Sequence, residues 1–344
     1  MANIIFSEGS GVNDSVFGKS QYPIRMMLER RGEAFEQEDL TKVLFKQEKS
    51  KHWAEKYTSM TEMDGFDDVG EDGAYPQDGF QEGFSKVIEN HTWKNSFAIS
   101  QEMVEDAKIS EFKSRPEKFI KSYYRTRRLF AISLYAAAIC GNTTLKFRGK
   151  NYDAKTSDDK ALFSTNHPSK IKSSFTQSNR FSNALTADGL GAVETAHQNL
   201  KDDNGNLLDC APTTIVIPND YATKDALFQA VGSDHYPLDS DKSYNYQFGR
   251  WNIIVEPYLF ELIKKQNPAL ITGGSKPWML IDTNYLDTYG AAVWQDRIPL
   301  TVKSSIDENN DANRWRGRAR FAAGFVDWRF ATLGGIVGAT DAAA

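Results

Sequence analysis

Ser114-Arg115-Pro116-Glu117 opens the one segment of this chain whose local structure its residues come closest to dictating. The pattern is a capping box, in which Ser114 accepts from the Glu117 amide while Glu117 reaches back. Pro116 falls in the first turn, where its missing N–H costs nothing. Phe119, Tyr123, Phe130 and Leu134 then keep to roughly one face, and Gly141 is the expected stop. A helix over 114–140 follows, and its ~26 residues at 1.5 Å rise make a rod of roughly 39 Å. A globular domain of ordinary size needs nothing so long. Its apolar end, Ala131–Ile139, is shorter than the ~18 residues of a membrane span and continues a charged helix, so a spine is expected and a membrane contact is not.

Charge is sorted along the chain. Residues 60–90 hold nine carboxylates (Glu62, Asp64, Asp67, Asp68, Glu71, Asp72, Asp78, Glu82 and Glu89) against Lys86, a net −8. Residues 113–128 hold seven basic side chains (Lys113, Arg115, Lys118, Lys121, Arg125, Arg127 and Arg128) against Glu117, a net +6. The whole chain is only −5, so complementary surfaces are present, and such surfaces set partner choice and register. Near the C-terminus Arg314, Arg316, Arg318 and Arg320 alternate with Trp315, Gly317, Ala319 and Phe321, which puts four guanidiniums on one face of a strand. An overall acidic chain argues against a dedicated nucleic-acid binder, and these local basic faces imply weak, non-specific phosphate contact at most.

At 344 residues the chain can bury a sizeable core in one or two domains. Residues 1–56 read as an N-terminal arm, small and polar over 1–25. Within 57–100, Val87, His91, Trp93, Phe97 and Ile99 share one parity, and an acidic tract punctuated by Gly65, Gly70, Gly73, Gly79 and Gly83 precedes them. This predicts a long, exposed β-hairpin with a mobile acidic tip, and loops of that length are seldom kept without a use. Residues 142–185 read as polar and loop-like, apart from Ala161-Leu162-Phe163-Ser164-Thr165-Asn166-His167-Pro168. Thr186 caps a helix carrying Leu190, Val193 and Leu200, closed by Asp203-Asn204-Gly205. A buried strand over 213–217, a helix from Tyr221 to Val231 ending at Gly232, and strands at 252–255 and 278–281 make a mixed α/β unit.

The residues offer little chemistry. Five histidines (His52, His91, His167, His197 and His235) and two cysteines (Cys140 and Cys210) show no metal-ligand spacing. Packed thiols and core or surface histidines are the expectation, and no metal, cofactor or catalytic residue is assigned. Asp202-Asp203-Asn204-Gly205-Asn206 begins like a calcium loop, but Leu207 and Thr213 stand where Gly and Glu belong. Gly149-Lys150 lacks the earlier glycine of a phosphate loop, and Gly-x-Ser-x-Gly is absent. At 12% the aromatic content is high, which suits cores and interfaces alike. The first eight residues carry neither a basic n-region nor an apolar h-region, so no signal peptide is expected.

The order of parts resembles the major capsid protein of tailed bacteriophages, the Hong-Kong-97-like fold, and most of all the Mu-type major head subunit branch. The resemblance rests on Leu162-Phe163-Ser164-Thr165-Asn166-His167, Thr186-Ala187-Asp188-Gly189-Leu190, Ile215-Val216-Ile217-Pro218, Trp278-Met279-Leu280-Ile281-Asp282 and the segment Arg314 to Phe330. It implies an α+β fold with an arm (1–56), an extended loop (57–100), a peripheral domain (101–185 and 281–344) built on the spine helix, and an axial domain (186–280). It implies a structural subunit, not an enzyme, that assembles as pentamers and hexamers into an icosahedral shell around double-stranded DNA. Scaffolding protein and portal would be partners, and the chain would assemble in the bacterial host cytoplasm and end in the virion. Contacts between copies are then expected from Asp67, Asp68, Glu71 and Asp72 on one side. Arg125, Arg127, Arg128, Arg314, Arg316, Arg318 and Arg320 stand on the other. Two rivals stay open: an encapsulin-like nanocompartment that houses protein cargo, and a soluble hydrolase whose site forms only in three dimensions.

Overall fold

The computed structural model describes residues 5–7, 26, 28, 31, 32, 39–60, 68, 69, 75, 82–100, 102, 109–172, 174–235, 244–307 and 312–342. Its contacts divide the chain into two units, residues 1–55 with 88–131 and 294–323, and residues 56–87 with 132–293 and 324–344. Among the described residues no helix is long and apolar enough to cross a membrane.

The first unit is built on a five-stranded sheet. Strand β1 (Ile5–Ser7) lies parallel to β13 (Ala292–Asp307), which neighbours β14 (Ala312–Phe325), which in turn pairs antiparallel with β5 (His91–Ile99). A short strand, β2 (Lys46–Lys49), also pairs with β13. The buried parity of β14 meets the buried side of the long helix in an aromatic core. Trp93 stacks on Phe321 with centroids 5.0 Å apart, Phe97 on Trp315 at 6.1 Å, and Trp294 on Phe321 at 5.1 Å. Phe119 and Phe130 close on Phe97 and Trp93 at 5.1 and 5.3 Å. Each such pair contributes about 0.5–1.5 kcal/mol beyond its buried area. Much of the chain's aromatic richness is therefore spent inside a subunit.

The long helix runs Ile109–Ile139, 31 residues and about 46 Å. It begins more than a turn before Ser114, so Pro116 sits inside it and the capping-box start at 114 does not hold. Glu117 is engaged by Arg31 Nε at 3.2 Å, and Arg115 donates to the Ala98 carbonyl. The expected stop does hold: Gly141 takes φ +73°, its amide bonds the Ala138 carbonyl, and the Asn142 amide bonds Ala137, a Schellman closure. The apolar run Ala131–Ile139 is buried throughout.

The second unit holds a four-stranded mixed sheet ordered β11 (Asn252–Glu256), β10 (Thr214–Pro218), β12 (Trp278–Ile281) and β15 (Ala331–Gly334). β10 and β11 are parallel, and the other pairs are antiparallel. Helices Ala187–Gln198 and Tyr221–Val231 start where their caps predict: Thr186 accepts from the Gly189 amide at 3.1 Å, and Asp220 from Thr223 at 3.2 Å. Leu190, Val193, Ile215, Ile217, Leu227 and Leu280 form their core. The Asp202–Gly205 segment is a turn, as expected, with Gly205 at φ +97° and Asp203 ion-paired to Arg329 at 2.9 Å.

Two expectations fail in detail. Residues 142–185 are not featureless. Strands β6 (Thr144–Phe147) and β7 (Lys150–Asp153) form a hairpin closed by Arg148 and Gly149 at φ +48° and +81°, the left-handed pair that a two-residue turn requires, and β8 (His167–Pro168) pairs with β9 (Thr176–Gln177). Val87 does not share the inward side of the later residues. The strand pattern breaks at Asn90 between β4 (Glu82–Glu89) and β5, so Val87 is exposed while Lys86 and Ile88 are buried. β4 pairs instead with β3 (Ala54–Met60), and Lys86 bonds Asp153 at 3.1 Å and the Lys155 carbonyl. The one base of the acidic tract is thereby spent on the root of the hairpin.

Candidate assembly surface

β14 alternates as its sequence predicts. Arg314, Arg316 and Arg318 are exposed and Arg320 is half-buried, while Trp315, Ala319 and Phe321 face the core. Gly317 completes the inward row because a Cβ there would lie 2.4 Å from the Phe119 ring. The β5 register places Ala98, Ser96, Lys94 and Thr92 opposite the four arginines. Lys94 therefore joins the basic face, and Lys303 of β13 joins it too. A groove of about 740 Å³ opens there, lined by Lys94, Lys303, Arg316 and Arg318 with Asn95, Ser96, Ile298, Thr301 and Gly317. No carboxylate is among these lining residues. Desolvation and the neighbouring charges of Arg297 and Arg318 pull the Arg320 guanidinium below its usual pKa.

The helix arginines divide. Arg125 is exposed and Arg128 half-buried. Arg127 is a correction: its side chain is only 9% exposed, grips Asp296 with two bonds of 2.7 and 3.1 Å, and approaches Asp39 at 3.5 Å. Its guanidinium lies 4.6 Å from the Trp294 ring centroid. Burial alone would push its pKa down, but Tyr123, Asp296 and Asp39 outweigh that and hold it charged. Arg127 is committed inside its own subunit and is no surface contact. Of the acidic group, Asp68 is exposed, as are Val69 and Tyr75. Asp67, Glu71 and Asp72 lie outside the described residues.

Lys94 and Lys303 were missed by sequence reasoning. The signal for Lys94 was present in the even-numbered run Thr92, Lys94, Ser96, Ala98. Its meaning depended on which strand β5 would pair with.

A family model described as phage capsid protein matches residues 85–333, well over half of the chain. The chain belongs to that family and is a structural subunit of a phage head shell. No curated protein matches it. Among solved structures it is similar to the mature capsid of bacteriophage PhiM1, at 10% identity with 87% of each chain covered and a TM-score of 0.49. It is also similar to the capsid of cyanophage P-SCSP1u, at 10% identity over 86% of this chain and 87% of that one, TM-score 0.48. For Mycobacterium phage Patience the figures are 13%, 100% and 95%, with a TM-score of 0.47. The family match carries the assignment, and with it the α+β, Hong-Kong-97-like reading of the fold class stands. It does not single out the Mu-type branch.

Proposed function

We propose that copies of this chain assemble as pentamers and hexamers into an icosahedral head shell around double-stranded DNA, with the acidic loop of one copy seated on the basic sheet face of the next. The observation that carries this reading is the groove of Lys94, Lys303, Arg316 and Arg318, which has no carboxylate in its lining, set against a tract of nine carboxylates whose one lysine is buried elsewhere. Residues 57–100 act as the reaching loop, 101–185 with 281–344 as the peripheral domain, and 186–280 as the axial domain. This division by role in the shell cuts across the contact-defined units. Assembly takes place in the host cytoplasm with scaffolding protein and portal, and packaged DNA makes at most weak phosphate contacts.

The test is the double charge reversal Arg316→Glu with Arg318→Glu, read by sedimentation and negative-stain microscopy across a salt series. Exposed pairs are screened within about 8 Å at physiological ionic strength, so wild-type assembly should weaken as salt rises. The variant should assemble poorly at low salt and lose that dependence. Unchanged shells with unchanged salt response would sink the loop-docking idea. Shells that form normally but hold less DNA would mean that the basic face serves DNA instead. Shells that carry protein in place of DNA would turn the reading to a nanocompartment.

A further inference from the structure

In the second unit, three side chains from distant parts of the chain converge inside the protein. His197 sits in the last turn of helix Ala187–Gln198, Cys210 in the segment before β10, and Asp282 at the N-cap of helix Thr283–Tyr289 just after β12. One ligand atom from each lies within 4.8 Å of the others, and all three residues are buried.

The hydrogen bonds around them leave a gap of a particular kind. His197 Nδ1 is 2.6 Å from Thr332 Oγ1, while its Nε2, fully buried, has no partner at all. Asp282 Oδ1 accepts the Asn284 and Tyr285 amides at 2.9 and 3.0 Å, and its Oδ2 accepts the Ala211 amide at 2.7 Å. His197 is thus oriented through one ring nitrogen with the other left over, and Asp282 Oδ2, which accepts a single amide, keeps a lone pair for a ligand. An orphaned ring nitrogen in a dry interior carries its whole desolvation penalty, and each such group asks for an explanation.

We propose that His197, Cys210 and Asp282 bind one divalent transition-metal ion, zinc by the chemistry of the ligands. Imidazole, thiolate and carboxylate are the donor set that zinc takes, at about 2.0–2.3 Å. Around a tetrahedral ion such donors stand about 3.3–3.6 Å apart, so small side-chain rotations draw the three together. Binding forms an Sγ–metal bond and releases the Cys210 thiol proton to solvent. A thiolate, a carboxylate and a neutral imidazole then carry two negative charges that the dication cancels, which a buried site requires. Thr332 acts as a positioning residue: by accepting from Nδ1–H it fixes the tautomer that offers the Nε2 lone pair. The ion would tie the end of one helix, the start of another and two strands of one sheet together.

The experiment uses the full chain, produced with added Zn²⁺ and dialysed against metal-free buffer, with the metal counted by mass spectrometry. About one zinc per chain is expected for a single site. Co²⁺ in its place should give the visible bands of a four-coordinate ion and a thiolate-to-cobalt charge-transfer band in the near ultraviolet. Cys210→Ala should lose both. Thr332→Val keeps all three ligands and should weaken zinc by about 10–100-fold, which also covers the case of a Cys210 variant that does not fold. Wild-type protein that retains no zinc and shows no charge-transfer band would overturn the site, as would equal zinc retention by Cys210→Ala or unaltered affinity in Thr332→Val.

Discussion

Replacing Arg127 with methionine separates a buried structural arginine from a surface contact. Methionine keeps much of the aliphatic bulk and removes the charge. It leaves Asp39, with its side chain 7% exposed, and Asp296, 35% exposed, without the guanidinium that held both. Removing one partner of a buried pair costs about 3–5 kcal/mol, because the charge left behind is uncompensated. Losing the cation over the Trp294 ring, about 0.5–2 kcal/mol, places the result toward the upper end. The assay is urea unfolding of the unassembled subunit by tryptophan fluorescence, since Trp294 lies against the missing group. Adding Asp39→Asn and Asp296→Asn to Arg127→Met should recover more than half of the loss, because no orphaned charge remains. Arg127→Lys should fall between, for it keeps the charge and loses the two-pronged grip. Arg125→Glu, on an exposed position of the same helix, should stay within about 0.5 kcal/mol. A cost below about 1 kcal/mol for Arg127→Met, the scale of an exposed pair, would refute the reasoning.

Other outcomes follow from single contacts. Burial pushes the Asp158 pKa up, but its bond to His167 at 2.6 Å, with Thr156 and the Lys160 amide, outweighs that and holds it below the ordinary value. The stabilisation it supplies is therefore complete above about pH 4 and is lost as pH falls through the lower folded value. Urea midpoints measured from pH 5 to pH 2 should drop less in Asp158→Asn than in wild type. Gly317→Ala would drive a methyl into the Phe119 ring at 2.4 Å, an overpacking cost of about 1–3 kcal/mol, visible as a lowered thermal midpoint. Asn179 is fully buried and donates to the Leu162 and Ala331 carbonyls at 2.8 and 3.0 Å. Asn179→Ala should cost about 1–3 kcal/mol for each carbonyl left bare, and a loss under 1 kcal/mol in chemical denaturation would mean those bonds are replaced.

By itself the sequence determined what short-range physics can settle. The cap at Thr186, the helix stop at Gly141 and the strand alternation of Arg314–Arg320 each depend on residues within a turn or a strand of one another, and all formed as read. Tertiary structure decided whatever depends on a partner far along the chain. Glu117 is ion-paired to Arg31, 86 residues away, and the helix begins at Ile109 and not at Ser114. Arg127 and Arg125 look alike in sequence, and only the arrival of Asp39, Asp296 and Trp294 made one of them a core residue. Lys94 became part of a cationic face because β5 pairs with β14, and His197, Cys210 and Asp282 meet because β12 and β15 share a sheet with β10. Propensity and capping act over a few residues. Burial and charge pairing are settled only when distant segments close on one another, and there the fold chose among roles the sequence had left open.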